Sequence, residues 1–436
     1  MATGLTGWRR RVRRQLFLWP RWRQQAVFWG GGALIGVVAV VFAKLADGSH
    51  RLLQVMTGWS PWVMLALAPL GFALLAFVTE RFFQGSQGSG IPQAIAARQI
   101  GSPARRRDLL GLRLALGKIG LTLLGIASGA SIGREGPTVQ VGASIMHELG
   151  QTGGRRYEGL LLAGGAAAIA AAFNTPIAGV VFAIEELGRS FQQRNSWLVF
   201  SCVIVAGLVS LALLGDYTYF GQSHAAPAGA ATWLAVGVSG LIGGLLGGGF
   251  SRLVILFALD ERRAWLAGLR RHQVAFAAMC GLLVAVLGLL TGGATYGTGY
   301  EQARGLLEGT ADPGFWYGPA KLAATLVSTV SGLPGGIFSP SLSVGAGLGQ
   351  QLSLLFPTVP PATIVLIGMT GYFAGVVQAP LTTVVIVLEM TAGTAMTVPL
   401  MTTAILALGA SRLVCPQPIY HALSRRYLSN AAERNS

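Results

Sequence analysis

The chain is 436 residues long, 52% hydrophobic and only 11% charged, with a mean hydropathy of +0.58. Soluble chains carry roughly 25% charged residues, so a soluble domain is excluded and an all-α polytopic membrane protein is expected. The net charge of +16 does not point to nucleic acid, because the basic residues lie between apolar runs, where the positive-inside rule places them.

Residues 8–25 interleave Arg with Trp, Leu and Phe, which suits a basic amphipathic segment at the headgroup boundary or a simple orientation signal. No cleaved signal peptide is expected. A transmembrane domain is then expected over 26–428, followed by a polar tail over 429–436. Apolar runs recur at Phe28–Leu45, Val63–Val78, Trp197–Leu214 and Phe276–Leu290. Many others are shorter than the ~20 residues of a full span, and 62 glycines and 19 prolines interrupt them, so tilted and broken helices are expected. Arg9–Arg14, Arg98–Arg107, Arg155–Arg156, Arg262–Arg271 and Arg412–Arg426 read as cytoplasmic; the stretches around Asp216–Thr232 and Tyr300–Asp312 read as external. Both termini are then cytoplasmic. Cys202, Cys280 and Cys415 lie far apart and read as structural thiols.

The first chemical signal in chain order is Gly88-Ser89-Gly90-Ile91-Pro92, a glycine-rich entry into a helix over Gln93–Gln99. Ser89 alone reads as a cap hydroxyl. The second is Gly133-Arg134-Glu135-Gly136-Pro137. An ionisable pair at membrane depth is a functional-site hypothesis by default, and the free amides of a helix start attract an anion. Glu135 would then be a resident anion in an anion site, with Lys118 and Arg134 raising the local anion concentration. Beyond an Ala/Gly-rich stretch, Pro176 starts a short apolar helix that closes on Glu185-Glu186. That pair is either a solvated interfacial end or a proton-handling site.

The second half repeats the first. Lys118–Ala143 aligns with Lys321–Ala346 at ten of 26 positions without a gap, and Thr175-Pro176 to Glu185 aligns with Ala379-Pro380 to Glu389 one residue further out of step. Repeat halves are expected at about 60–215 and 232–414, with the site where their broken helices meet. Glu135 falls opposite Phe338, so Gly335-Gly336-Ile337-Phe338-Ser339-Pro340 offers an uncharged helix start. Tyr420, in the last helix start, reads alone as an interface anchor.

Four motifs in this order on a repeated membrane chain closely resemble the CLC family of chloride channels and proton-coupled chloride exchangers. They are Gly88–Pro92, Gly133–Pro137, Gly335–Pro340 and the Pro418-Ile419-Tyr420 motif. The resemblance implies two inverted-topology halves with the anion site at their interface, and a homodimer with one pathway per subunit. It assigns chloride to the hydroxyls of Ser89 and Tyr420 and the amides of Ile337 and Phe338. Gly88, Gly90, Gly133, Arg134, Gly136 and Gly336 form the anion loops around them. It makes Glu135 the external gate and Glu186 the internal proton glutamate, since exchangers of the family usually carry an acid at that position. Gln93 and Ile95 stand where many bacterial relatives have acids, which puts the surroundings of Glu186 in question. Ser89 with Tyr420 argues against the fluoride-selective branch, and the short tail leaves no room for cytoplasmic regulatory domains.

The expectation is therefore a chloride/proton antiporter of a bacterial inner membrane, in contact with lipid, passing chloride and other small anions such as bromide or nitrate, with no enzymatic activity and no cofactor. A passive chloride channel of the same fold is the alternative. A sodium-coupled solute transporter also fits composition and repeats, but leaves the Glu135 and Phe338 motifs unexplained.

Overall fold

The computed structural model describes residues 19–433, apart from 151–156, 189–195, 216–217, 222, 224, 228, 261–267 and 270. The basic stretches at Arg9–Arg14 and Arg155–Arg156, with Arg262 and Arg263, lie outside the described residues, as does Asp216. Among the described residues, seven helical segments are long and apolar enough to cross a membrane: Gln25–Trp59, Pro61–Phe82, Pro103–Ala127, Trp197–Leu214, Gly229–Leu259, Gln273–Leu290 and Thr394–Val414. The centre is built by shorter helices, one of them the second part of the Pro103–Ala127 segment. In the first half these are α1 (Ile91–Gln99), α2 (Leu112–Ala127), α3 (Glu135–Leu149), α4 (Tyr157–Phe173) and α5 (Pro176–Phe182). In the second half they are α6 (Tyr300–Glu308), α7 (Tyr317–Val330), α8 (Phe338–Ser353), α9 (Pro361–Val377) and α10 (Pro380–Thr391), and α11 (Ile419–Glu433) closes the chain. The final helix thus continues into the segment expected as a polar tail.

The halves match element by element. Helices α1 and α6 each have nine residues, and α4 and α9 each have 17. Each of the longer pair ends on a left-handed residue, Asn174 at φ 57° or Gln378 at φ 59°, two positions before a proline that opens the next helix. α4 and α9 are buried along nearly their whole length, which is why they lack the polar/apolar periodicity of a surface helix. Small residues let them pack. A Cβ added to Gly142 of α3 would lie 2.4 Å from the Gly164 oxygen of α4, and one added to Gly345 of α8 would lie 2.6 Å from the Gly368 oxygen of α9. Without a hydrophobic driving force between helices in lipid, such close backbone approach supplies the packing.

The same symmetry crosses between halves through two carboxylates. Glu185 accepts from the Leu381 and Thr382 amides at 3.2 and 2.7 Å, and Glu389 accepts from those of Ile177 and Ala178 at 3.1 and 2.6 Å. Each acid sits at the end of one half's helix and caps the start of the other's, where charge and dipole agree. Glu185, half-buried at the end of its helix, is therefore a structural cap. Glu185→Gln and Glu389→Gln are each expected to lower stability by about 1 kcal/mol, read as a lower thermal midpoint in detergent; unchanged midpoints would show that solvent replaces these caps.

Candidate anion pathway

Three glycine-rich helix starts from distant parts of the chain are laced into one centre. Gly133 and Gly336, equivalent in the repeat, exchange amide and carbonyl at 2.7 Å in both directions. Gly88 donates to the Leu333 oxygen at 3.2 Å, and Gly335 donates to the Gly88 oxygen at 3.0 Å. Gly88 and Gly90 have φ of +65° and +100°, values open to glycine and strained for other residues. At Gly136 a Cβ would lie 2.3 Å from Ser89 Oγ, so the α3 backbone reaches the serine hydroxyl only because no side chain stands there.

Behind the Ser89 loop, donors hold its carbonyl oxygens. Lys118 Nζ, fully buried on α2, donates to the Ser86 and Gly88 oxygens at 2.6 and 2.5 Å. The Gln93 amide donates to the Gly85 and Gln87 oxygens at 3.0 and 2.7 Å. An ionised acid could not donate these bonds, which gives Gln93 a local reason. The Lys118 ammonium is turned to the loop carbonyls and holds the loop's shape. Ile95 is a core residue, 2% exposed.

The second half builds the same device, which the gapless repeat alignment does not show. Lys321, buried on α7, donates to the Thr295 and Gly297 oxygens at 2.9 and 2.7 Å. Gly297-Thr298-Gly299 has φ of +62° and +72° at its glycines and leads into α6 as Gly88-Ser89-Gly90 leads into α1. The shared Gly-hydroxyl-Gly pattern was the available signal, but it lies at a different offset from the rest of the repeat. The two loops line different cavities. Gly88 and Ser89 border one of about 130 Å³ with Gln273, Tyr420, Arg426 and Tyr427, and Thr298 and Tyr300 border one of about 390 Å³ with Lys44, Asp47, His50 and Arg134. Equivalent loops opening into different cavities are what inverted halves produce.

Between the cavities the centre is buried. Ser89 is not the cap of α1, a place taken by Gly90. Ser89 Oγ and the Tyr420 hydroxyl lie close enough to influence each other, yet neither reaches a partner in hydrogen-bond geometry. Tyr420 is fully buried, which removes its reading as an interface anchor. Its ring lies 5.9 Å from that of Phe338, itself packed against Phe373 at 5.0 Å, Phe182 at 6.0 Å and Phe173 at 6.3 Å. Phe338 opens α8 behind Ile337, and the first amides of a helix have no intrahelical acceptor. Buried hydroxyls without partners are unusual and call for a ligand, and these donors suit an anion.

Glu135 opens α3 and is fully buried. Its Oε1 accepts from Ser339 Oγ at 2.6 Å, while Oε2 has no hydrogen-bond partner and folds back toward Gly133. Its neighbour Arg134 turns the other way, donating to the Ala43 oxygen at 2.6 Å and to Asp47 at 3.0 Å on the wall of the larger cavity. Glu186 lies in a π-helical turn, Ala183–Leu187, and is 1% exposed. Such turns recur at functional sites. Both glutamates lie within electrostatic range of the Tyr420 hydroxyl. The structure thus brings together Ser89, Glu135, Phe338, Tyr420 and the flanking glycines, with Glu186 close behind them.

Seven candidate spans, matched halves and a centre of inward-turned helix starts define a polytopic helical membrane protein of the transporter class. The family model described as voltage gated chloride channel matches residues 71–412, and the chain belongs to this CLC family. It is 30% identical over 421 residues to the H(+)/Cl(-) exchange transporter ClcA of Salmonella paratyphi A, covering 91% of this chain and 87% of that one. Its fold is similar to that of a slow cyanobacterial Cl−/H+ antiporter, with a TM-score of 0.80 at 24% identity over 93% of this chain and 98% of the other. A CLC-type fluoride/proton antiporter has a TM-score of 0.76 at 22% identity, over 92% and 97%.

Proposed function

We propose that this protein exchanges chloride for protons across a bacterial inner membrane. The observation that carries the reading is the pair of buried, unpartnered hydroxyls of Ser89 and Tyr420 beside the start of α8, with the Glu135 carboxylate against the same helix start. Neutral hydroxyls and amide dipoles replace a halide's hydration without holding it as a fixed cation would, and transport needs departure as well as entry. Chloride sits against Ser89, Tyr420 and the amides of Ile337 and Phe338. Ionised Glu135 blocks the passage on the side of the larger cavity; protonated, it leaves and chloride enters. Its return displaces chloride, and Glu186 exchanges the proton on the other side, by a path separate from the ion's. The smaller cavity, bordered by Arg426, faces the cytoplasm in this reading, as do both termini. The homodimer implied by the family resemblance, each subunit with its own pathway, belongs to the same proposal.

Liposomes loaded with chloride and containing the purified protein test it. Chloride running down its gradient is expected to drive protons uphill, measured with chloride and pH electrodes together. Chloride flux without proton movement would instead establish a passive channel, and dependence on sodium would refute both.

A further inference from the structure

A carboxylate that exchanges protons with solution needs a route to it, and Glu186 has almost none of its own. Only 2% of its side chain is exposed. The imidazole of His421, one residue beyond Tyr420 in the first turn of α11, stands against it. His421 Nε2 lies 3.1 Å from the Glu186 main-chain oxygen and 3.9 Å from its Oε1, and 22% of the His421 side chain is exposed. One ring therefore touches the buried acid and reaches the surface. An imidazole is the side chain whose ordinary protonation range lies nearest neutrality.

We propose that His421 relays protons between solution and Glu186, an inference that rests on the reading of Glu186 given above. A carbonyl oxygen only accepts, so the Nε2 facing the Glu186 main chain carries the hydrogen and Nδ1 is the basic nitrogen of the neutral ring. Nδ1 takes a proton from water, and the ring becomes imidazolium. A small side-chain shift then closes the 3.9 Å gap to Oε1. The Nε2–H bond breaks as the Oε1–H bond forms, leaving a neutral acid and a neutral imidazole carrying its hydrogen on Nδ1. Tautomer exchange through water resets the ring, and the reverse sequence removes a proton from Glu186.

The helices packed on α11 bring Arg98 on α1 and Arg252 on Gly229–Leu259, while α9 brings no charged side chain. On α11 itself stand Arg425, Arg426 and the phenols Tyr420 and Tyr427. Glu185, beside Glu186 in sequence, is occupied with the amides of Leu381 and Thr382.

The test uses the full chain in liposomes, reading chloride-driven proton uptake in His421→Gln and His421→Ala. Glutamine keeps an N–H for the Glu186 carbonyl but does not titrate. In both variants proton flux is expected to fall by about tenfold or more while chloride flux persists, and imidazole added to the buffer is expected to restore proton flux in His421→Ala. A structural role predicts the opposite pattern, with His421→Gln normal and no rescue. Normal pumping in His421→Gln, with pumping lost in Glu186→Gln, overturns the relay and leaves Glu186 standing. Equal loss of chloride and proton flux without imidazole rescue also overturns it. Continued pumping in Glu186→Gln removes the Glu186 reading and the relay together.

Discussion

Glu135→Gln is expected to abolish uphill proton movement while chloride still passes. The side chain is fully buried, and its amide has nearly the same volume, so the fold tolerates the change and the oxygen facing Ser339 Oγ can still accept. What disappears is the charge. Two unit charges 4 Å apart repel by about 4 kcal/mol at an effective dielectric of 20, enough to exclude chloride from a passage that holds an ionised carboxylate. An amide neither repels the anion nor takes up a proton. Proton flux in liposomes is therefore expected to drop by about two orders of magnitude, to the leak, and chloride flux is expected to lose its dependence on external pH. A glutamine variant that still pumps protons would remove Glu135 from the coupling step.

The second large effect is expected at Glu186. Glu186→Gln is expected to stop proton transport and leave chloride flux in place, because Glu186 is buried in the turn after α5 and is not one of the groups assigned to chloride. The discriminating quantity is the ratio of proton to chloride flux in the same vesicles. A coupled variant would return the proton role to another group. Glu185, the other acid of the pair, is then a poor candidate, since its carboxylate is committed to the start of α10. Together the two glutamine variants separate an outer coupling step from an inner one.

Much of this site was legible because its signals are local. A glycine-flanked charge before a proline within an apolar chain marks a helix start with an ionisable group, whatever surrounds it. Four helix-start motifs in order, one of them charged, together with the repeat, carried the family, the inverted architecture and the positions of Ser89, Glu135, Phe338 and Tyr420. Assignments that depended on a partner fared differently. The sequence shows Lys118 as a cation in an apolar helix, but not that its ammonium holds the Ser86 and Gly88 carbonyls. The acidic pair was ambiguous because neighbouring residues on a helix point in different directions, one toward α10 and one into the core.

Composition, the spacing of apolar runs and the helix-start motifs by themselves determined a many-helix membrane protein built twice over, with glycine-flanked helix starts in both halves. Each of these is set by a few adjacent residues and the length of an apolar run against the bilayer. Only the tertiary structure decided which cap Glu185 serves, which carbonyls the buried lysines hold, that Thr298 repeats the Ser89 loop, and that His421 meets Glu186 across 235 residues of sequence. A side chain's partner is chosen by how helices from the two halves cross, and that crossing is a property of the packed whole.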